Sequence, residues 1–229
     1  MLSFAFFCST GSFSQSVTPS RLSVISEIKR HKCTVKADSN QAMVPLDRVL
    51  TPLITDFRYA GRDNFTHEIL YRNPLAFLHL PVAKALDNVQ KELKKKELSL
   101  KIWDAYRPYS VTKKMWEIVP DERYAANPAK GSGHNRGAAV DLTIVDIKTG
   151  KELRMPTEYD NFTEKAHHSF QNLDKEQIEN RKFLRSIMEK YGFVALETEW
   201  WHYSWPNAAQ LFPVLDIDFK ALKKLSRRR

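Results

Sequence analysis

Ser132-Gly133-His134-Asn135-Arg136-Gly137-Ala138-Ala139-Val140-Asp141, read together with Glu199-Trp200-Trp201-His202 further along, is the stretch on which this chain turns. Two imidazoles and one carboxylate form the donor set that zinc accepts when three protein groups hold it and a fourth position stays open to water. An open position is what makes a metal site catalytic. His134 and Asp141 are seven positions apart, so a flat strand would send them to opposite faces. Gly137, free to take positive φ, supplies the bend that lets both face one ion. Glu199 stands three residues before His202, within reach of a metal-bound water without being a ligand. Such a water has its pKa lowered to about 7, and a nearby carboxylate can take its proton and pass it to a leaving amine. The local chemistry therefore reads as hydrolysis.

Around this pair of segments the chain carries Trp103-Asp104-Ala105-Tyr106-Arg107-Pro108 and His167-His168, so that four separated motifs run in one order between roughly Asp56 and Pro206. Together they resemble the zinc D-alanyl-D-alanine dipeptidases of the VanX type, relatives of the D,D-carboxypeptidases and of hedgehog-like domains. The resemblance implies an α+β fold of the hedgehog/D,D-peptidase kind, a single domain with an antiparallel sheet and flanking helices. It also implies one zinc ion per chain, held by His134, Asp141 and His202. Glu199 is then the general base, and Arg107 stabilises the carbonyl oxygen as it becomes an oxyanion. Asp160 matches the acidic residue that receives the substrate's free ammonium, and Tyr59 matches a tyrosine that borders the substrate. Ser132, with neighbouring backbone donors, is expected to orient the small substrate. The family keeps its His-His pair without using it for zinc, so His167-His168 reads as structural.

The implied reaction is hydrolysis of the free dipeptide D-alanyl-D-alanine to two D-alanines, in peptidoglycan precursor or turnover metabolism. A D,D-carboxypeptidase trimming stem peptides is one alternative; its site must leave room for a long amino-terminal arm. A catalytically inactive, hedgehog-like zinc binding module is another. Glu199 and Arg107 argue for an enzyme. The closeness of the 103–108 motif and of Met155-Pro156-Thr157-Glu158-Tyr159-Asp160-Asn161-Phe162 argues for the dipeptidases.

With 229 residues and 42% hydrophobic content the chain can bury one substantial core. Its formal net charge of +9 is clustered at Lys94-Lys95-Lys96, Lys223-Lys224 and Arg227-Arg228-Arg229. Readers of nucleic acid spread basic side chains over a face and interleave them with aromatics, so no nucleic-acid partner is expected. The two cysteines, Cys8 and Cys33, lie outside the matched region and suggest neither a disulfide framework nor a thiolate site. Residues 1–44 are expected to be a leader or extension, 45–215 the zinc domain, and 216–229 a basic tail. The apolar run Leu2–Cys8 is a marginal secretory signal without an opening Lys or Arg, which leaves a bacterial periplasm and cytoplasm both open. It is far short of the about 20 apolar residues that span a bilayer, so no transmembrane segment is expected.

Apolar spacing predicts helices over Ser20–Lys32, Pro81–Lys96, Ser110–Ile118 and Asp174–Tyr191, the last capped by Asp174 and ended by Gly192. Strands are predicted over Val49–Tyr59, Leu98–Trp103 and Ala138–Asp146, with a partner at Glu152–Met155, while Asp38–Val44 is expected to be irregular. A further strand over Phe193–Tyr203 carries Glu197, Glu199 and His202. Because Glu199 and His202 differ by an odd number, a bulge or strand end has to bring both to the metal.

Overall fold

The computed structural model describes residues 22–227. In chain order the elements are β1 (Val24–Ile25), α1 (Ile28–Ala37), β2 (Met43–Pro45), β3 (Ile54–Thr55), β4 (Phe77–His79), α2 (Leu80–Lys94), β5 (Leu98–Asp104), α3 (Tyr109–Ile118), β6 (Ala139–Asp146), α4 (Lys175–Lys190), β7 (Val194–Leu196), β8 (Glu199–Ser204), α5 (Ala208–Leu211), β9 (Val214–Leu215) and α6 (Phe219–Ser226). The main sheet has the order β3-β5-β6-β8-β7. Its pairings are antiparallel except at one edge, where β3 runs parallel to β5.

β6 is the central strand, and it is buried from Ala139 to Val145, as its almost unbroken apolar run requires. α2 lies against this sheet through Val82, Leu86, Val89 and Leu93, all fully buried, with a proline in its first turn where no amide hydrogen bond is lost. One polar residue of α2 ties it to β5: Gln90 donates to Ser99 Oγ at 2.8 Å and accepts from the Leu100 amide at 2.9 Å. α4 buries Leu184, Ile187 and Met188. Its first turn is closed by the Asp174 amide donating to the Gln177 side chain at 3.2 Å, and Gly192 follows its end with φ 90°. Three tryptophans, Trp103, Trp200 and Trp201, are buried where β5 and β8 flank β6.

Several elements depart from expectation. The helix predicted over Ser20–Lys32 starts only at Ile28 and runs to Ala37, because Val24–Ile25 pair in parallel with Val214–Leu215 from the far end of the chain. Spacing that suits a helix was overridden by a distant strand partner. The strand predicted over Val49–Tyr59 shrinks to Ile54–Thr55, followed by a 3-10 turn at Arg58–Ala60. Asp38–Val44 is not irregular: a 3-10 turn at Ser39–Gln41 leads into β2. The strand predicted over Phe193–Tyr203 is a hairpin, β7 and β8, with a register shift between Ala195 and Leu196. Glu152 contributes only an isolated bridge to Val145. Burial begins ahead of Pro45, at Ile25, His31, Val35 and Met43, and continues past residue 215 at Phe219 and Leu222. Cys33 is a free, exposed thiol. The Leu2–Cys8 run and the last two arginines lie outside the described residues. Among the described residues no helix is long and apolar enough to cross a membrane.

The bend between the first two site residues is where backbone conformation matters most. Gly137 has φ 54°, and a Cβ built there would stand 2.7 Å from Met43 Cε. Gly137→Ala is expected to cost about 1–2 kcal/mol, the penalty of a left-handed non-glycine residue, plus whatever displacement of Met43 adds. Urea unfolding of the two proteins measures it, and equal stabilities would show that the bend is not held in this conformation.

Candidate active site

The site forms where β6 and β8 lie side by side, because their register sets Asp141 directly across from His202. His134 arrives from the turn that precedes β6, a 3-10 segment His134–Arg136 ended by Gly137. Asn135, fully buried, fixes that turn. Its Nδ2 donates to the Arg107 carbonyl at 2.9 Å and to Thr112 Oγ1 at 2.8 Å, while its Oδ1 accepts from the Ser132 amide at 3.0 Å.

The three donors face one another. His134 Nε2 is 3.2 Å from His202 Nδ1 and 3.4 Å from Asp141 Oδ2, and His202 Nδ1 is 2.9 Å from Asp141 Oδ1. They form the group of metal-competent side chains found among the described residues. The tautomer of His134 follows from its other nitrogen: Nδ1 is 2.7 Å from the Ala105 carbonyl, which can only accept, so Nδ1 carries the proton and Nε2 presents a lone pair. His202 Nε2 meets Ser204 Oγ at 2.9 Å. Imidazoles oriented through their outer nitrogens, with a carboxylate between them, fit a metal ion. Burial opposes ionisation of Asp141, yet the imidazoles beside it hold its carboxyl well below the usual range.

Arg107 reaches the same cavity from the end of β5. Asp104 takes it in two hydrogen bonds on Oδ2, 3.0 Å from Nε and 2.7 Å from Nη2. Asp104 Oδ1 accepts from Tyr71 Oη at 2.8 Å and from the Ala105 amide at 3.0 Å. This carboxylate also lies 3.6 Å from His134 Nδ1, so one residue braces both Arg107 and His134. The guanidinium carbon stands 5.1 Å from the centre of the Tyr59 ring.

Tyr59 Oη donates to Asp160 Oδ1 at 3.2 Å, leaving the buried Oδ2 of Asp160 without a hydrogen-bond partner. Burial, with Asp141 and Glu199 nearby, pushes the Asp160 carboxyl well above the usual range. Glu199, at the first position of β8, has its pKa raised chiefly by burial, and its Oε2 lies 3.9 Å from His202 Nδ1. A raised carboxyl pKa suits a group that must accept and return a proton near neutrality. All eight residues singled out from the sequence line one cavity of about 270 Å³. Phe162, Trp201 and Tyr124 are also in its wall.

His167 and His168 stand apart from the donors. The His168 amide donates to the Glu197 carbonyl, the His167 carbonyl accepts from Arg181, and burial lowers the His168 pKa to about 4. Two residues with plain roles were not singled out by sequence reasoning. Tyr159 donates to Asp141 Oδ2 at 2.9 Å, and its oxygen is 3.2 Å from that of Tyr59. Asp104 is the brace just described. Tyr159 lies beside Asp160 in the 155–162 stretch and Asp104 three residues before Arg107, so position beside a site residue was the available signal.

The family model described as D-ala-D-ala dipeptidase matches residues 39–222. The chain belongs to this peptidase family. A D-alanyl-D-alanine dipeptidase of Escherichia coli is 33% identical over 177 residues, covering 77% of this chain and 91% of the relative. One of Enterococcus faecium is 32% identical over 199 residues, covering 74% and 96%. A solved structure of VanYB in complex with D-alanine-D-alanine is 13% identical, with a TM-score of 0.38 over 67% of this chain and 78% of that one. Membership makes the protein an enzyme acting on peptide bonds and removes the inactive binding module as a reading. It also agrees with the α+β architecture expected from the motifs.

Asp104 offers a test of how the site is held. Removing one partner of a buried ion pair strands the other, at about 3–5 kcal/mol. Asp104→Ala should lose stability of that order in urea unfolding, and combining Asp104→Leu with Arg107→Met should restore part of it. A single substitution as mild as the double would show that the pair is not buried as described.

Proposed function

We propose that this enzyme hydrolyses free D-alanyl-D-alanine to two D-alanines, using one zinc ion held by His134, Asp141 and His202. The observation that carries the reading is Asp160: a buried carboxylate with an unpartnered oxygen, in the same small cavity as the three donors, Glu199 and Arg107. A peptide hydrolase acting on long chains has no use for a buried, unpartnered carboxyl beside its reaction centre, whereas a free dipeptide brings an ammonium that favours its ionised form.

Zinc, when bound, polarises the scissile carbonyl and lowers the pKa of water. The chain's own residues supply the rest. Glu199 takes the proton of the attacking water and delivers it to the nitrogen of the departing D-alanine. Arg107, held rigid by Asp104 and Tyr71, presents its guanidinium to the carbonyl oxygen as negative charge grows there, where one preorganised donor is worth about 3–4 kcal/mol. Asp160 Oδ2 accepts from the substrate's ammonium, and Tyr59 keeps Oδ1 occupied so that Oδ2 faces the substrate. Ser132 Oγ already accepts from the Asn135 amide at 3.1 Å, which leaves its hydroxyl proton for the substrate carboxylate.

Purified, zinc-loaded protein should release D-alanine from D-alanyl-D-alanine, stop on chelation, and leave L-alanyl-L-alanine intact. Turnover of an N-acylated D-Ala-D-Ala stem peptide at a comparable rate would replace this reading with a carboxypeptidase. Glu199→Ala should lower kcat by about 10²–10⁴ with metal content unchanged, and loss of zinc there would make Glu199 a ligand. For Asp160→Asn the effect should fall chiefly on KM, the sign of an interaction made equally in ground and transition states. An unchanged KM would take Asp160 out of the substrate site.

A further inference from the structure

On the outer side of the His134–Arg136 turn a second concavity, about 760 Å³, lies between α1, the 129–136 loop and residues 209–213. It shares no lining residue with the dipeptide cavity. Its walls carry two arginines, Arg30 and Arg136, and no carboxylate, while Leu22, Ile25, Phe212 and Pro213 give it an apolar side.

Arg136 is 8% exposed. Its Nη1 donates to the Phe212 carbonyl at 2.6 Å. Among the residues that line the concavity there is no carboxylate to answer its charge. Arg181 makes the contrast: it is also buried, but both Nη atoms donate to carbonyls, of His167 and Phe170, and Glu197 supports its charge. The residues outside the described range add no acidic side chain, since 1–21 contain neither Asp nor Glu and 228–229 are both Arg. A cation withdrawn from water without a counter-charge is costly, and an anion entering the concavity would offset that cost.

We propose that this concavity binds a small apolar acid, its carboxylate received by Arg136 and Arg30 and its hydrocarbon part laid against Leu22, Ile25, Phe212 and Pro213. The exposed Arg30 completes the charge recognition, and the buried Arg136 gives it depth. The site stands whether or not the dipeptide is the substrate of the first cavity.

Calorimetric titration of the full-length, zinc-loaded protein with hexanoate, acetate and inorganic phosphate tests it. Hexanoate should bind saturably and acetate more weakly, by about fourfold for each methylene withdrawn from contact. Arg30→Gln, a surface change that leaves dipeptide hydrolysis as it is, should weaken hexanoate by at least about tenfold, the loss of one charge-assisted contact. Arg136→Gln should abolish binding in a protein whose melting temperature shows it folded. Absence of saturable hexanoate binding, or an affinity untouched by Arg30→Gln, overturns the proposal. Phosphate or acetate binding as tightly as hexanoate overturns the apolar half of it.

Discussion

Three metal-competent side chains, His134, Asp141 and His202, brought within 3.4 Å of one another set the terms for this molecule. The Ala105 carbonyl fixes the His134 proton on Nδ1, so Nε2 has nothing to offer Asp141 but a lone pair. Those two atoms are matched only when a proton or a cation stands between them, so the surrounding structure has to hold the donors in place. It does so with rigid parts: Asp141 and His202 are register partners on adjacent strands, and His134 sits on a turn pinned by a fully buried asparagine. A loop could supply the same side chains, but not the same restraint on their approach.

Asp104 extends that restraint to the other half of the site. One carboxylate receives Arg107, Tyr71 and a backbone amide, and lies close to His134 Nδ1. The donor turn and the guanidinium are therefore positioned by the same group. Tyr159 has the corresponding place on the far side, donating to Asp141 and standing beside Tyr59, which in turn donates to Asp160. Neither phenol ionises, because burial pushes both hydroxyls well above their ordinary range, so they act as fixed donors between Asp141 and Asp160.

Much of this was legible in the sequence, for identifiable reasons. The grouping of His134, Asp141 and His202, the bend at Gly137 and the nearness of Glu199 could be found because each requires a particular residue type within a short span. The helices over 80–94, 109–118 and 175–190 announced themselves through apolar period, and α4 through its cap as well. What the sequence concealed depends on partners far away along the chain. Val24–Ile25 becomes a strand only because Val214–Leu215 lies beside it, and the Phe193–Tyr203 stretch reads as one strand until its hairpin is seen. Tyr159 and Asp104 were hidden for the opposite reason: each sits next to a residue with a more obvious task, and a buried tyrosine or aspartate carries no local sign of what it touches.

The charges in the cavity favour one kind of substrate. Arg107 is already neutralised by Asp104, so it contributes orientation more than net charge. Asp141, Glu199 and Asp160 remain, and the first two lie close enough to raise the cost of ionising the third. With zinc as proposed, two of these three negative charges are matched and one is left over. On the proposed reading a zwitterionic dipeptide answers it where it stands, with an ammonium at Asp160 and a carboxylate away from the acidic wall. An acylated peptide carries the carboxylate without the ammonium, which leaves Asp160 either charged and unpaired or protonated and unable to help. On that reading discrimination against longer peptides follows from electrostatics as well as from the aromatic wall of Phe162, Trp201 and Tyr124, and it would persist in a variant whose wall had been cut back.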